Sequence, residues 1–148
     1  MEFPRDCADP TTMQALGREI AVEMASGGVL ALDGELGAGK TELVKGLAAE
    51  VGFKGLVTSP TFPLVHEYRS GQQVLVHFDF YRVEAVEEVL DLGWDEFLEE
   101  PGSILAIEWA SRFPKLWPAK TMALELTILP GGARRVSRHP LISAEDSS

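Results

Sequence analysis

The residues Gly34-Glu35-Leu36-Gly37-Ala38-Gly39-Lys40-Thr41 have the types and spacing of a phosphate-binding loop. They complete the pattern Gly-x-x-x-x-Gly-Lys-Ser/Thr, in which successive backbone N–H groups converge on phosphate oxygens. Glycines at 34, 37 and 39 permit the tight turn. Lys40 is spaced to reach β- and γ-phosphates, and the Thr41 hydroxyl to ligate Mg²⁺. A helix beginning just after the loop adds its partial positive charge. The expected cofactor contacts are therefore Glu35, Leu36, Gly37, Ala38, Gly39, Lys40, Thr41 and Glu42.

A phosphate loop needs an acidic companion for its metal, ordinarily at the end of a neighbouring apolar strand. Two apolar runs end in carboxylates, Val74–Phe78 in Asp79 and Ile104–Ile107 in Glu108. One would hold Mg²⁺ and the other would orient the attacking water, and the two roles are exchangeable at this point. Thr58, Ser59 and Thr61 follow the loop's helix, where switch proteins place a hydroxyl that senses the γ-phosphate. Trp109 could stack on a base or close the pocket, or belong to the core like Trp94 and Trp117. His66 and His77 alternate with apolar residues as core or cross-strand histidines do, and His139 is expected at the surface. There is no Asn/Thr-Lys-x-Asp segment to read guanine and no Asp-x-x-Gly after the second strand. Adenine is the better fit, so ATP or ADP is the expected nucleotide.

Elements that could position these groups are legible. Residues 29–32 form an apolar run of strand length, and residues 42–51 carry Leu43, Leu47 and Val51 at helical spacing. Asp9-Pro10-Thr11-Thr12 offers a helix start, with Met13, Leu16, Ile20 and Met24 as the apolar stripe of a helix over 11–26. Residues 64–68 and 74–78 read as a hairpin turning at Ser70-Gly71-Gln72. Two short helices over 84–90 and 94–99 precede a strand at 104–107, and residues 122–129 and 134–138 make a final hairpin. The pattern predicts a single domain over 1–148: a small α/β P-loop NTPase fold with a mixed, mostly parallel central sheet flanked by helices and a C-terminal β-hairpin. Residues 1–8 and 141–148 are expected to fray. Ligands of such sheets bind at the carboxyl ends of the strands.

With 45% hydrophobic and 24% charged residues the composition is that of an ordinary globular domain. No apolar run approaches the ~20 residues of a membrane span. Met1-Glu2-Phe3-Pro4-Arg5-Asp6 is acidic where a secretory signal is basic and then apolar, and Cys7 stands alone. A cytoplasmic protein without disulfides, and with no thiol chemistry at Cys7, is expected. The net charge of −10 repels a nucleic-acid backbone, which argues against unaided tight binding of DNA or RNA. From Glu84 to Glu100 the chain carries eight carboxylates and no Lys or Arg, either a solvated helical face or a docking surface for a basic partner.

Taken together, Gly34–Thr41, Thr58-Ser59-Pro60-Thr61-Phe62, His77-Phe78-Asp79-Phe80-Tyr81-Arg82 and Ile107-Glu108-Trp109 resemble the TsaE (YjeE) family over residues 9–138. That family is the ATPase component of bacterial tRNA N6-threonylcarbamoyladenosine synthesis. The resemblance implies a subunit with weak, Mg²⁺-dependent ATP hydrolysis. It would gate or reset the TsaD–TsaB complex, which modifies adenosine 37, and would meet tRNA only through those partners. By match, Lys40 and Thr41 bind phosphate and Mg²⁺, and Glu108 ligates the metal. Asp79 would act in the metal shell or in catalysis, Thr61 would make the switch contact, Trp109 would lie beside the nucleotide, and Arg82 would anchor the switch or face a partner. The family often places Thr four residues before the glycine of its first helix. This chain has Met13 there, with Thr12 beside it as the candidate hydroxyl, and Ser111 where an acidic residue is common. A small-molecule kinase is the alternative use of the same loop, and it requires an Arg-bearing lid. Only Arg69, Arg82 and Arg112 lie in the segment where a lid would be sought, residues 55–113. A nucleotide-sensing regulator is a third reading, which the pairing of Asp79 with Glu108 disfavours.

Overall fold

The structure, a computed structural model, describes residues 1–71 and 73–140. The expected fraying of 141–148 and the turn residue Gln72 lie outside the described residues. Seven strands and four helices follow the order β1 (Arg5–Cys7), α1 (Pro10–Glu23), β2 (Gly28–Asp33), α2 (Lys40–Glu50), β3 (Val65–Ser70), β4 (Gln73–Asp79), α3 (Val86–Asp91), α4 (Trp94–Glu99), β5 (Ile104–Glu108), β6 (Met122–Ile128) and β7 (Arg134–Arg138). Two 3₁₀ turns, Ala110–Arg112 and Pro114–Leu116, link β5 to β6. The sheet order is β1-β7-β6-β2-β5-β4-β3. Its four central strands are mutually parallel, while β3 at one margin and β7 and β1 at the other run antiparallel to their neighbours. The chain has the mixed sheet and final hairpin expected of it.

The parallel centre follows from burial on both faces, which demands unbroken apolar strands such as Val29-Leu30-Ala31-Leu32. Leu30 and Leu32 point toward α1 and α2, while Val29 and Ala31 point toward the layer of α3, α4 and the 3₁₀ turns. Helix α1 starts with Asp9 as N-cap, whose Oδ1 accepts the Thr12 N–H at 2.8 Å, and with Pro10 in the first turn.

The leader differs from expectation. Arg5–Cys7 is an edge strand, with Arg5 opposite Val136 and Cys7 opposite Arg134. Cys7 is 2% exposed, inside the cluster that includes Leu16, Ile20 and Val136. Arg5 bonds Glu19 at 2.8 Å, and Arg135 bonds Asp6 at 2.8 Å. One buried side chain and the β7 ladder outweigh the polar composition that suggested fraying. Burial also pushes the Cys7 thiol up, consistent with an inert residue.

Helices α1 and α2 approach closely enough that a Cβ at Gly46 would lie 2.0 Å from the Gln14 carbonyl oxygen, and one at Gly17 would lie 2.2 Å from that of Leu43. Alanine in place of a helical glycine ordinarily gains about 1 kcal/mol of propensity. Here overpacking against rigid backbone wins, and Gly46→Ala is expected to lose about 1–3 kcal/mol of stability. Urea unfolding of the two proteins measures the difference.

Candidate functional site

Strand β2 ends at Asp33, and the chain turns through residues 34–39 into α2. A Cβ on Gly34 would meet the Leu126 carbonyl oxygen at 2.5 Å, so the loop can pass β6 only with glycine there. Gly39, at φ 107°, N-caps α2 in the left-handed region. Lys40 is nearly buried, and its ammonium donates to the carbonyls of Gly34 and of Glu35, the latter at 3.0 Å. It also lies 4.3 Å from the centre of the Trp109 ring. Burial draws the Lys40 ammonium below the usual lysine range, while Glu108, Asp33, Asp79 and Glu35 pull the other way.

Parallel pairing puts Asp79 opposite Glu108 at the carboxyl ends of β4 and β5. Glu108 Oε2 accepts from Thr41 Oγ1 at 3.0 Å and meets His77 Nε2 at 2.7 Å. Asp79 Oδ2 accepts from Ser59 Oγ at 2.7 Å and Thr61 Oγ1 at 2.9 Å, and Oδ1 from the Tyr81 N–H at 2.8 Å. The Thr58 carbonyl accepts from the Tyr68 hydroxyl at 3.2 Å. Phe62 of the same loop carries the Arg82 guanidinium 4.6 Å from its ring centre.

These groups line a cavity of about 630 Å³, within the range of small-ligand sites. Lys40, Thr41, Ser59, Thr61, Asp79, Glu108 and Trp109 share its wall with Leu36, Gly37, Gly39 and Glu42. Glu35 and Ala38, expected as contacts, are not among the residues that line it; the Ala38 N–H donates to the Glu35 carbonyl at 3.0 Å within the loop. Thr12 is not part of the wall, and its hydroxyl is spent on Asp9 Oδ1 at 2.8 Å, while Asp9 and Met13 do face the cavity. The donor set fits Mg²⁺. Thr41, Glu108 and Asp79 offer hard oxygens, and Mg²⁺ is ordinarily held by one or two carboxylates plus phosphate oxygens and water. Among the described residues no group of three or more His, Cys, Asp or Glu could form an all-protein metal cage.

Several site residues escape reading from the sequence. Asp33 accepts from the Ser111 N–H at 3.0 Å and its Oγ at 2.7 Å, and meets His139 Nε2 at 3.1 Å. His139 is therefore buried, contrary to expectation. Its own N–H donates to the Ala123 carbonyl at 2.9 Å, which extends the pairing beyond β7, and Trp117 packs edge-on against the ring. Asp33 thereby fastens the 3₁₀ turn that follows Trp109, a residue held at φ 58°. Arg134 donates twice to the Gly37 carbonyl, at 3.2 and 3.1 Å, from the distant hairpin. Two of them left a usable signal: Asp33 ends the apolar run 29–32 as Asp79 and Glu108 end theirs, and His77 shares strand parity with Asp79.

Comparison with known proteins agrees with this architecture. A family profile described as threonylcarbamoyl adenosine biosynthesis protein TsaE matches residues 7–136. The chain belongs to the TsaE family. A TsaE protein from Nostoc is 37% identical over 136 residues, 90% of this chain and 83% of the relative. One from Synechocystis is 40% identical over 68% of this chain and 65% of its own length. The crystal structure of Bacillus subtilis YdiB superimposes with a TM-score of 0.74 at 27% identity, covering 93% of this chain and 87% of that one. TsaE membership places the chain in tRNA threonylcarbamoyladenosine biosynthesis, and its P-loop fold implies a nucleotide ligand.

Asp33→Ala would remove the carboxylate that accepts from the Ser111 N–H and hydroxyl and that meets buried His139. A loss of about 1–3 kcal/mol in urea unfolding is expected.

Proposed function

We propose that this chain binds ATP with Mg²⁺ and hydrolyses it slowly, in the cytoplasm, as the ATP-driven subunit that gates or resets a TsaD–TsaB transferase. The observation that carries this reading is the convergence of Thr41 and Asp79 with Glu108 beside a complete phosphate loop, in one cavity. Mg²⁺ would supply charge neutralisation across the β- and γ-phosphates. Thr41 and Glu108 would hold it. Lys40 exchanges its two loop carbonyls for phosphate oxygens, which restores a full counter-charge to a partly desolvated ammonium. Asp79, with Ser59 and Thr61, orders the loop over the γ-phosphate position and orients the attacking water. Trp109 closes the wall beside Lys40.

The surface fits a subunit that reaches tRNA through others. The net charge of −10 opposes direct contact with a phosphate backbone, and α3 and α4 carry most of the acidic run facing solvent. Glu100 in that run is engaged by Arg69 at 3.1 Å, while Glu87, Asp91, Asp95, Glu96 and Glu99 are exposed. That face is the first docking candidate for a basic partner surface.

The test is ATP turnover by the purified protein alone and with its own organism's TsaD–TsaB pair. Slow turnover that rises with the pair is expected; turnover indifferent to the pair but raised by a small acceptor would replace this reading with a kinase. Lys40→Ala should weaken ATP binding about 10–100-fold, the value of a charge-assisted contact, and abolish turnover. Glu108→Ala should shift the Mg²⁺ titration of turnover to higher concentration while the circular dichroism spectrum stays that of the parent.

A further inference from the structure

The sheet face beneath α1 and α2 is mostly Leu, Ile and Ala, yet alternation and register set a chain of four polar side chains into it beside Asp79. His66 and Tyr68 lie on β3, with His66 opposite His77 of β4, and Glu108 follows on β5. Tyr68, His77 and Glu108 are 4%, 0% and 3% exposed. A buried polar path of this kind costs more than an apolar core unless every member is satisfied. Here each member has a partner. His77 Nε2 meets Glu108 Oε2 at 2.7 Å. His77 Nδ1 lies 3.3 Å from the Tyr68 hydroxyl, which donates to the Thr58 carbonyl at 3.2 Å and lies 3.2 Å from His66 Nδ1.

The phenol has one hydrogen and three partners. A carbonyl can only accept, so the loop in this position claims that hydrogen; a displaced loop releases it to an imidazole nitrogen. The Tyr68 ring itself is fixed by Phe53, with ring centres 4.8 Å apart. Loop 57–63 therefore touches both carboxylates of the site: Asp79 through Ser59 and Thr61, and Glu108 through Tyr68 and His77.

We propose that Tyr68 is a positioning residue that, acting through His77, couples the placement of loop 57–63 to the orientation of Glu108, and so to how firmly the site holds Mg²⁺ beside a nucleotide. This rests on the ATP–Mg²⁺ reading above. The test is equilibrium binding of a fluorescent ADP analogue with and without Mg²⁺, to the parent, Tyr68→Phe and Phe53→Leu, with thermal melting of each. Tyr68→Phe is expected to keep the Mg²⁺-free affinity within about twofold and to lose about fivefold of the enhancement by Mg²⁺, the worth of one neutral hydrogen bond. Phe53→Leu, which disturbs the packing of the same ring, is expected to keep the enhancement. Equal enhancement in Tyr68→Phe and parent overturns the coupling alone. An equal loss in Phe53→Leu also overturns it, because packing then explains the effect. A parent whose affinity ignores Mg²⁺ overturns both the coupling and the reading beneath it.

Discussion

Three buried carboxylates crowd the carboxyl end of the parallel sheet, and the rest of the site is arranged around supplying them with hydrogen-bond donors. Asp33, Asp79 and Glu108 end β2, β4 and β5, strands that are neighbours in the order β2-β5-β4. Polar groups shielded from water are costly unless each has its own hydrogen-bond partners. Each set of donors comes from a different part of the chain. Ser111 and His139 serve Asp33; Ser59, Thr61 and the Tyr81 N–H serve Asp79; Thr41 and His77 serve Glu108. Lys40 stands among them as the shared cation. The segments that supply these donors are the ones that must be held still: the turn after β5, the loop before β3 and the first turn of α2.

The two faces of the sheet divide the labour. Beneath α3 and α4 the residues of β4 and β5 are Val76, Phe78, Leu105 and Ile107, packed with Trp94 and Phe80 in tilted and edge-on aromatic contacts. The opposite face of the same strands carries His77, Asp79 and Glu108. A period of two thus lets one strand be a rigid apolar wall and a chemical surface at once. The loop of Ser59 and Thr61 is anchored to that wall's edge by hydroxyls and, through Phe62, by Arg82.

What could be read in advance was whatever local chemistry dictates. The glycine loop, the apolar strands and the carboxylates that end them are short patterns, and each emerged where its residues placed it. Asp9 and Pro10 likewise announced the start of α1. Most departures depended on pairing between distant residues. Arg5–Cys7 is a strand only because β7 lies beside it, and His139 is buried only because its N–H reaches Ala123 and its ring Asp33. Arg134 meets Gly37 across 97 positions of sequence. Thr12 looked like a ligand hydroxyl, but a side chain that can bond its own N-cap does so at no cost in chain ordering.

The strand order has a consequence for how the molecule is made. β2, which delivers the phosphate loop, lies between β5 and β6, and its register partners begin at Ile104 and Met122. On a ribosome the loop and α2 emerge long before either neighbour exists. For that interval β2 presents two unpaired apolar edges, and α1 and α2 can form only a provisional pair through their glycine contact. Closing chain segments of this length is slow relative to local helix formation. The nucleotide site is therefore among the last features to assemble, and its nascent form is a natural client for chaperones.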